Sequence, residues 1–154
     1  MVAQNVKIGD SLPSFSFQTS EGNTHSFADF AGQSIVLYFY PKDDTPGCTI
    51  EAKAFRDHLA DFKQKNTLIF GVSKDSASSH EKFREKYCLP FPLIVDTSTE
   101  LCQFFGVLKD KSLFGKKYKG IERSTFLINP EGKLVKEWRK VNVLGHVKKV
   151  LDAL

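Results

Sequence analysis

Apolar residues along the chain follow two spacings, and the switches between them mark out the elements. Residues 15–19 alternate, with Phe15 and Phe17 on one side and Ser16 and Gln18 on the other, as a half-buried strand requires. A turn at Ser20–Asn23 leads into a return strand over 24–27, and residues 29–32 form a helical turn closed by Gly32. Residues 34–40 are nearly all apolar, the pattern of a central strand covered on both faces. The period then changes. Ala52, Phe55, Leu59 and Phe62 recur at steps of three and four, which predicts a helix over 46–64 with one inward stripe. Cys48 lies four residues before Ala52 and shares that stripe.

A second apolar strand occupies 67–73. A helix rich in Lys and Glu follows over 77–87, and Pro90 and Pro92 forbid its continuation. Residues 93–96 make a third strand, and 98–105 a short helix closed by Gly106. Residues 109–120 read as a lysine-rich loop with two glycines. Residues 124–128 and 133–140 form a hairpin around the turn 129–132. The closing helix covers 143–154, with Val143, Val147, Val150, Leu151 and Leu154 inward. The order β-β-β-α-β-α-β-α-β-β-α predicts an α/β sandwich: a mixed central sheet, flanking helices and an N-terminal β-hairpin. Residues 1–154 are expected to form a single domain.

Composition narrows the function classes. Hydrophobic residues make up 41% of the 154 and charged residues 26%, as in an ordinary water-soluble domain. The net charge is +4, and Lys109, Lys111, Lys116, Lys117 and Lys119 are its one cluster. Without a recognisable base-reading motif, that cluster reads as a solvated loop and no nucleic-acid partner is expected. No apolar run approaches the ~20 residues of a membrane span, and the first residues lack the apolar core of a signal peptide. Three cysteines are too few for a disulfide scaffold, so a reducing, cytoplasmic setting is expected. The histidines, His25, His58, His80 and His146, are scattered and read as surface residues. Without Cys-x-x-Cys or His-x-x-x-His pairs, no metal is expected.

The chemistry concentrates where the 34–40 strand meets the 46–64 helix, in Pro41, Lys42, Asp43, Asp44, Thr45, Pro46, Gly47 and Cys48. Thr45 suits an N-cap, its hydroxyl accepting from a free backbone N–H. Pro46 suits the first helical position, and Gly47 leaves space beside the backbone. Cys48 then falls where unpaired N–H groups and the positive helix end stabilise a thiolate, the nucleophilic form of cysteine. Asp43, Asp44 and Glu51 oppose that charge. A cation aimed at Cys48 resolves the conflict, and Arg123 and Arg56 are the candidates. A Cys/His hydrolase pair stays open at this point, since such partners need not be close in sequence.

Pro41-x-x-x-Thr45-x-x-Cys48 with a distant Arg123 resembles the peroxiredoxin active site. The longer string from Tyr40 through Thr49, Glu51, Phe55, Arg56 and Asp57 resembles the bacterioferritin-comigratory, or Q-type, subfamily, and Phe91–Leu93, Phe114–Lys116 and Gly120–Phe126 extend the likeness over essentially the whole chain. The resemblance implies a thioredoxin-like fold and an antioxidant peroxidase acting on hydrogen peroxide and organic hydroperoxides, with a role in redox homeostasis. It implies that Cys48 is the peroxidatic cysteine and redox-active centre. Thr45 would bind and position the peroxide, Arg123 would hold the thiolate and polarise the O–O bond, and Pro41 would shield Cys48 from water. The N–H groups of Gly47 and Cys48 would bind developing negative charge. Thioredoxin, glutaredoxin or glutathione would be the reductant.

The chain departs from this pattern at Lys53. Many members of the subfamily carry a resolving cysteine there, five residues after the first, and others carry one at the position of Arg84. Cys102 and Cys88 are the remaining candidates, with Cys102 preferred on distance. The leading expectation is a one-cysteine cycle in a monomer. A dimer through Phe104, Phe105, Leu113 and Phe114 is the alternative assembly, and a peroxide sensor or holdase the alternative function. A disulfide reductase is disfavoured because Thr45 occupies the first place of its usual Cys-x-x-Cys.

Overall fold

The structure is a computed structural model that describes residues 6–154. The first five residues, which carry part of the signal-peptide reading, lie outside the described residues. The elements are β1 (Ser16–Thr19), β2 (Thr24–Ser26), a 3₁₀ turn (Phe27–Phe30), β3 (Ser34–Phe39), α1 (Pro46–Asp57), α2 (Leu59–Gln64), β4 (Thr67–Ser73), α3 (Ala77–Tyr87), β5 (Leu93–Val95), α4 (Glu100–Phe104), β6 (Leu108–Leu113), β7 (Lys116–Ile121), β8 (Ser124–Ile128), β9 (Leu134–Arg139) and α5 (His146–Asp152).

Seven strands form a sheet in the order β2-β1-β5-β4-β3-β8-β9. The β3–β4 and β4–β5 pairs are parallel and the outer pairs antiparallel, so the sheet is mixed, as the element order predicts. β3 is buried along nearly its whole length and its side chains divide by the strand period. Ile35, Leu37 and Phe39 enter one apolar cluster with Leu101, Cys102 and Phe105. Val36, Tyr38 and Tyr40 enter the other, with Cys48, Ala52 and Phe55 of α1, Phe83 of α3 and Val150 of α5. Tyr38 stacks on Phe55 with centroids 4.5 Å apart. Gly71, its neighbour on β4, makes room for it, since a Cβ there would lie 2.8 Å from the Tyr38 ring.

Three predicted elements differ most. The 46–64 helix breaks at His58, whose N–H bonds to the Ala54 carbonyl while the Asp61 and Phe62 N–H groups both turn back to its own carbonyl. This tighter turn starts α2 and seats Phe62 5.9 Å from Phe55. The 109–120 loop is a hairpin, β6–β7, joined by Phe114 and Gly115, both at positive φ (51° and 77°). Such a pair matches the twist of a two-residue hairpin. The closing helix starts at His146, after Gly145, so Val143 precedes it.

Candidate active site

Cys48 is the third residue of α1, at the carboxyl edge of the parallel strands. The hydrogen-bond ladder of α1 begins with the Thr49 N–H on the Thr45 carbonyl at 2.9 Å. The N–H groups of Gly47 and Cys48 precede it and have no carbonyl of their own turn to bond. Cys48 is 1% exposed. Arg123, between β7 and β8, brings Nη2 to 3.4 Å from Cys48 Sγ, and its Nη1 donates to Glu51 Oε1 at 2.9 Å. Gly47 packs against the same guanidinium, where a Cβ would lie 3.1 Å from Nη2. One cation therefore faces two acidic groups a helical turn apart. Burial opposes the charge on Arg123, but Glu51 and Cys48 beside it outweigh that and raise its pKa. Burial pushes the Glu51 carboxyl up to about 7, with Arg123 pulling the other way. Glu51 Oε2 is buried and unpartnered.

Several expectations need correction. Thr45 sits at the N-cap but its hydroxyl makes no cap bond; it donates to the Lys42 carbonyl at 2.8 Å. Arg56 faces away from Cys48, donating to the Tyr87 carbonyl and Asp57. Two histidines are buried rather than on the surface. His80 lies between Asp43 and the Ile94 carbonyl, and His146 against Thr125. The hydrogen bond to the Cys48 thiol comes from Arg123, and among the described residues none joins it to a histidine. Phe104 and Phe105 are buried in the core and line no dimer patch, whereas Leu113 and Phe114 stand exposed at the hairpin tip. Pro41 is half-buried at the end of β3.

The structure places Cys102 and Cys88 in different settings. Cys102 is fully buried in the cluster on the opposite face of the sheet from Cys48. Burial first, then Asp96 beside it, push its thiol far above the ordinary range. Cys88 is exposed, in a left-handed C-cap conformation at the end of α3, on the Cys48 side of the sheet. Asp43 and Glu51, read from sequence only as opposing charges, prove to be the anchors of the site. Their partners His80 and Arg123 are too distant along the chain for spacing to reveal.

Comparison with known proteins places this geometry. The AhpC/TSA family model matches residues 8–137. Peroxiredoxin Bcp of Bacillus subtilis (strain 168) is 51% identical over 149 residues, covering 97% of this chain and 95% of that protein. A solved structure of the Xanthomonas campestris bacterioferritin comigratory protein, described in terms of its alkyl peroxide reduction activity, superposes with a TM-score of 0.89 at 43% identity, covering 96% of both chains. A mutant of Xylella fastidiosa PrxQ superposes at 0.92 and 40% identity, covering 98% of this chain and 96% of that one. The family match and these relatives make the chain a thiol-dependent peroxidase built on a thioredoxin-like sandwich. The chain belongs to the AhpC/TSA family, as a peroxiredoxin of the Bcp type. Peroxide substrates and a thiol reductant follow from that class. Among the described residues, no helix is long and apolar enough to cross a membrane.

Proposed function

We propose that Cys48 is the peroxidatic nucleophile and that Thr45, Arg123, Pro41 and the first-turn N–H groups of α1 form its peroxide site. The observation that carries this reading is the Arg123 guanidinium, 3.4 Å from a buried cysteine in the first turn of a helix. The thiolate attacks one peroxide oxygen. An S–O bond forms as the O–O bond breaks, and the second oxygen leaves as water or alcohol once it has taken a proton. Sulfur supplies both electrons, so the reaction calls for neither metal nor cofactor. Arg123 and the N–H groups of Gly47 and Cys48 offset the charge that builds on the leaving oxygen. Thr45 already donates to Lys42, which leaves its oxygen lone pairs to accept from a peroxide O–H. Pro41 limits water around Cys48.

The sulfenic acid is returned to the thiol by an external thiol: thioredoxin, glutaredoxin or glutathione. Position 53 is a lysine, and Cys102 lies across the sheet. If an internal thiol resolves Cys48, its exposure and its layer favour Cys88. The whole chain acts as one cytoplasmic domain, as a monomer. Stopped-flow mixing with hydrogen peroxide and an organic hydroperoxide tests the reading. The wild type is expected to show a fast second-order phase that vanishes in Cys48→Ser; a fast phase surviving in that variant contradicts it.

A further inference from the structure

The loop that carries Pro41 and Thr45 is held from outside by a buried polar knot. The Asp43 carboxylate accepts from the Tyr40 hydroxyl at 2.6 Å through Oδ1, and from Ser79 at 2.8 Å through Oδ2. His80 Nδ1 lies 2.7 Å from that same Oδ2. The Asp43 N–H donates to Asp75 Oδ2 at 2.8 Å, and Asp75 is fixed in turn by the Ser73 hydroxyl at 2.7 Å. His80 is 0% exposed and Asp43 8% exposed. His80 Nε2 faces the Ile94 carbonyl at 2.9 Å, and a carbonyl only accepts, so Nε2 carries a hydrogen. One further proton then lies between Nδ1 and Oδ2, whichever atom holds it. The knot thus joins the active-site loop to the start of α3, the end of β4 and β5.

The same loop contains Asp44 at φ 57°, a left-handed conformation that, among residues other than glycine, asparagine and aspartate tolerate best. Lys86 and the Tyr87 hydroxyl each bond its carboxylate at 2.8 Å. Two consecutive aspartates therefore tie residues 40–45 to α3, one in the interior and one at the surface. Cys48 follows three residues after Thr45 and touches neither aspartate in the hydrogen bonds described above.

We propose that Asp43 and His80 are positioning residues for the peroxide reaction: their pair locks the Tyr40–Thr45 loop so that Thr45, Pro41 and the first turn of α1 are held around Cys48 before peroxide arrives. The proposal rests on Cys48 being the peroxidatic residue. It separates the two halves of the cycle. Attack on peroxide needs several groups in register and is sensitive to small displacements. Return of the sulfenic acid by a small thiol needs access to a sulfur that is 1% exposed, which a looser loop does not hinder.

The test compares Asp43→Asn, His80→Gln and the double variant with the wild type. Each is checked for cooperative unfolding well above the assay temperature. Loss of this buried hydrogen bond, with its partner left unsatisfied, is expected to slow peroxide oxidation of Cys48 about ten-fold. Reduction of the pre-oxidised protein by dithiothreitol is expected to be unchanged or faster. The double variant is expected to be no slower than the worse single one, because one pair is being broken. Ser79→Ala, which removes one hydroxyl from the same carboxylate, gives a smaller slowing in the same direction and serves if the others fail to fold. An unchanged peroxide rate in the folded variants, additive losses in the double variant, or equal slowing of both half-reactions overturns the proposal. Failure of the underlying reading is separately visible as a fast peroxide phase that persists in Cys48→Ser.

Discussion

Gly47→Ala adds one methyl group to the inner wall of the site and separates stability from catalysis. The new Cβ would lie 3.1 Å from Arg123 Nη2 and 3.8 Å from Cζ. Ordinary contact begins near 3.4 Å, so the guanidinium must retreat by about 0.3 Å. It cannot simply swing away, because Nη1 is tied to the buried Glu51 at 2.9 Å. The nitrogen pushed is the one facing Cys48 Sγ at 3.4 Å. A hydrogen bond to a charged group contributes ~1.5–3 kcal/mol, and losing roughly a third to a half of it removes about 1 kcal/mol. If that loss falls on the transition state, peroxide oxidation slows about five-fold. Helix propensity acts in the opposite direction, since Ala replaces Gly at a position outside the left-handed region and gains up to ~1 kcal/mol. Stopped-flow oxidation by hydrogen peroxide gives the rate, and urea unfolding of the reduced protein gives the stability. A variant that is equally or more stable and several-fold slower is expected. A variant that is more stable and as fast as the wild type refutes the claim that Arg123 Nη2 must sit where it does.

Three other perturbations reach different parts of the account. Glu51 has its pKa raised from 4.5 to about 7, so the folded chain binds its proton more tightly than the unfolded one. Its contribution to stability is full below about pH 4.5 and is lost as pH rises toward 7. Glu51→Gln is expected to remove that component from the pH dependence of the urea midpoint; an identical slope in wild type and variant counts against it. Cys102→Ala empties space in the core and is expected to cost about 1–2 kcal/mol in urea unfolding. The rates of both half-reactions should stay within two-fold, and a loss of turnover with dithiothreitol would make Cys102 a participant after all. Phe114→Ser changes a side chain that is 96% exposed at the hairpin tip. Stability is expected to move by less than ~0.5 kcal/mol, with the peroxide rate unchanged; a large loss would mean that the tip packs against something in solution.

Local periodicity carried most of the architecture. β4 appears at the predicted residues because it is a continuous apolar run, and α3 because its Lys- and Glu-rich stretch is stopped by Pro90 and Pro92. The β6–β7 hairpin was hidden because its strands are mostly polar and exposed on both faces, leaving no alternation to read. The Phe114–Gly115 step was its one local signal. At the site, the Thr45–Cys48 cap was legible because it is local, while the direction of the Thr45 hydroxyl was not. The need for a cation left Arg123 and Arg56 as candidates and a family pattern favoured Arg123, whose contact with Cys48 spans 75 positions. The Asp43–His80 contact spans 37, and nothing in the spacing of either residue announces it. The sheet face of Cys102 is not legible from its distance along the fold. Strand alternation at β3 separates the two clusters, and with them the two buried cysteines.

The most direct test of the central claim is peptide mass spectrometry after one equivalent of hydrogen peroxide in the presence of a sulfenic-acid trap such as dimedone. Cys48 is expected to carry the adduct in the wild type, with Cys88 and Cys102 unmodified, and Arg123→Ala is expected to form the same adduct more slowly. An adduct on Cys88 or Cys102 with Cys48 left as a free thiol would contradict the account.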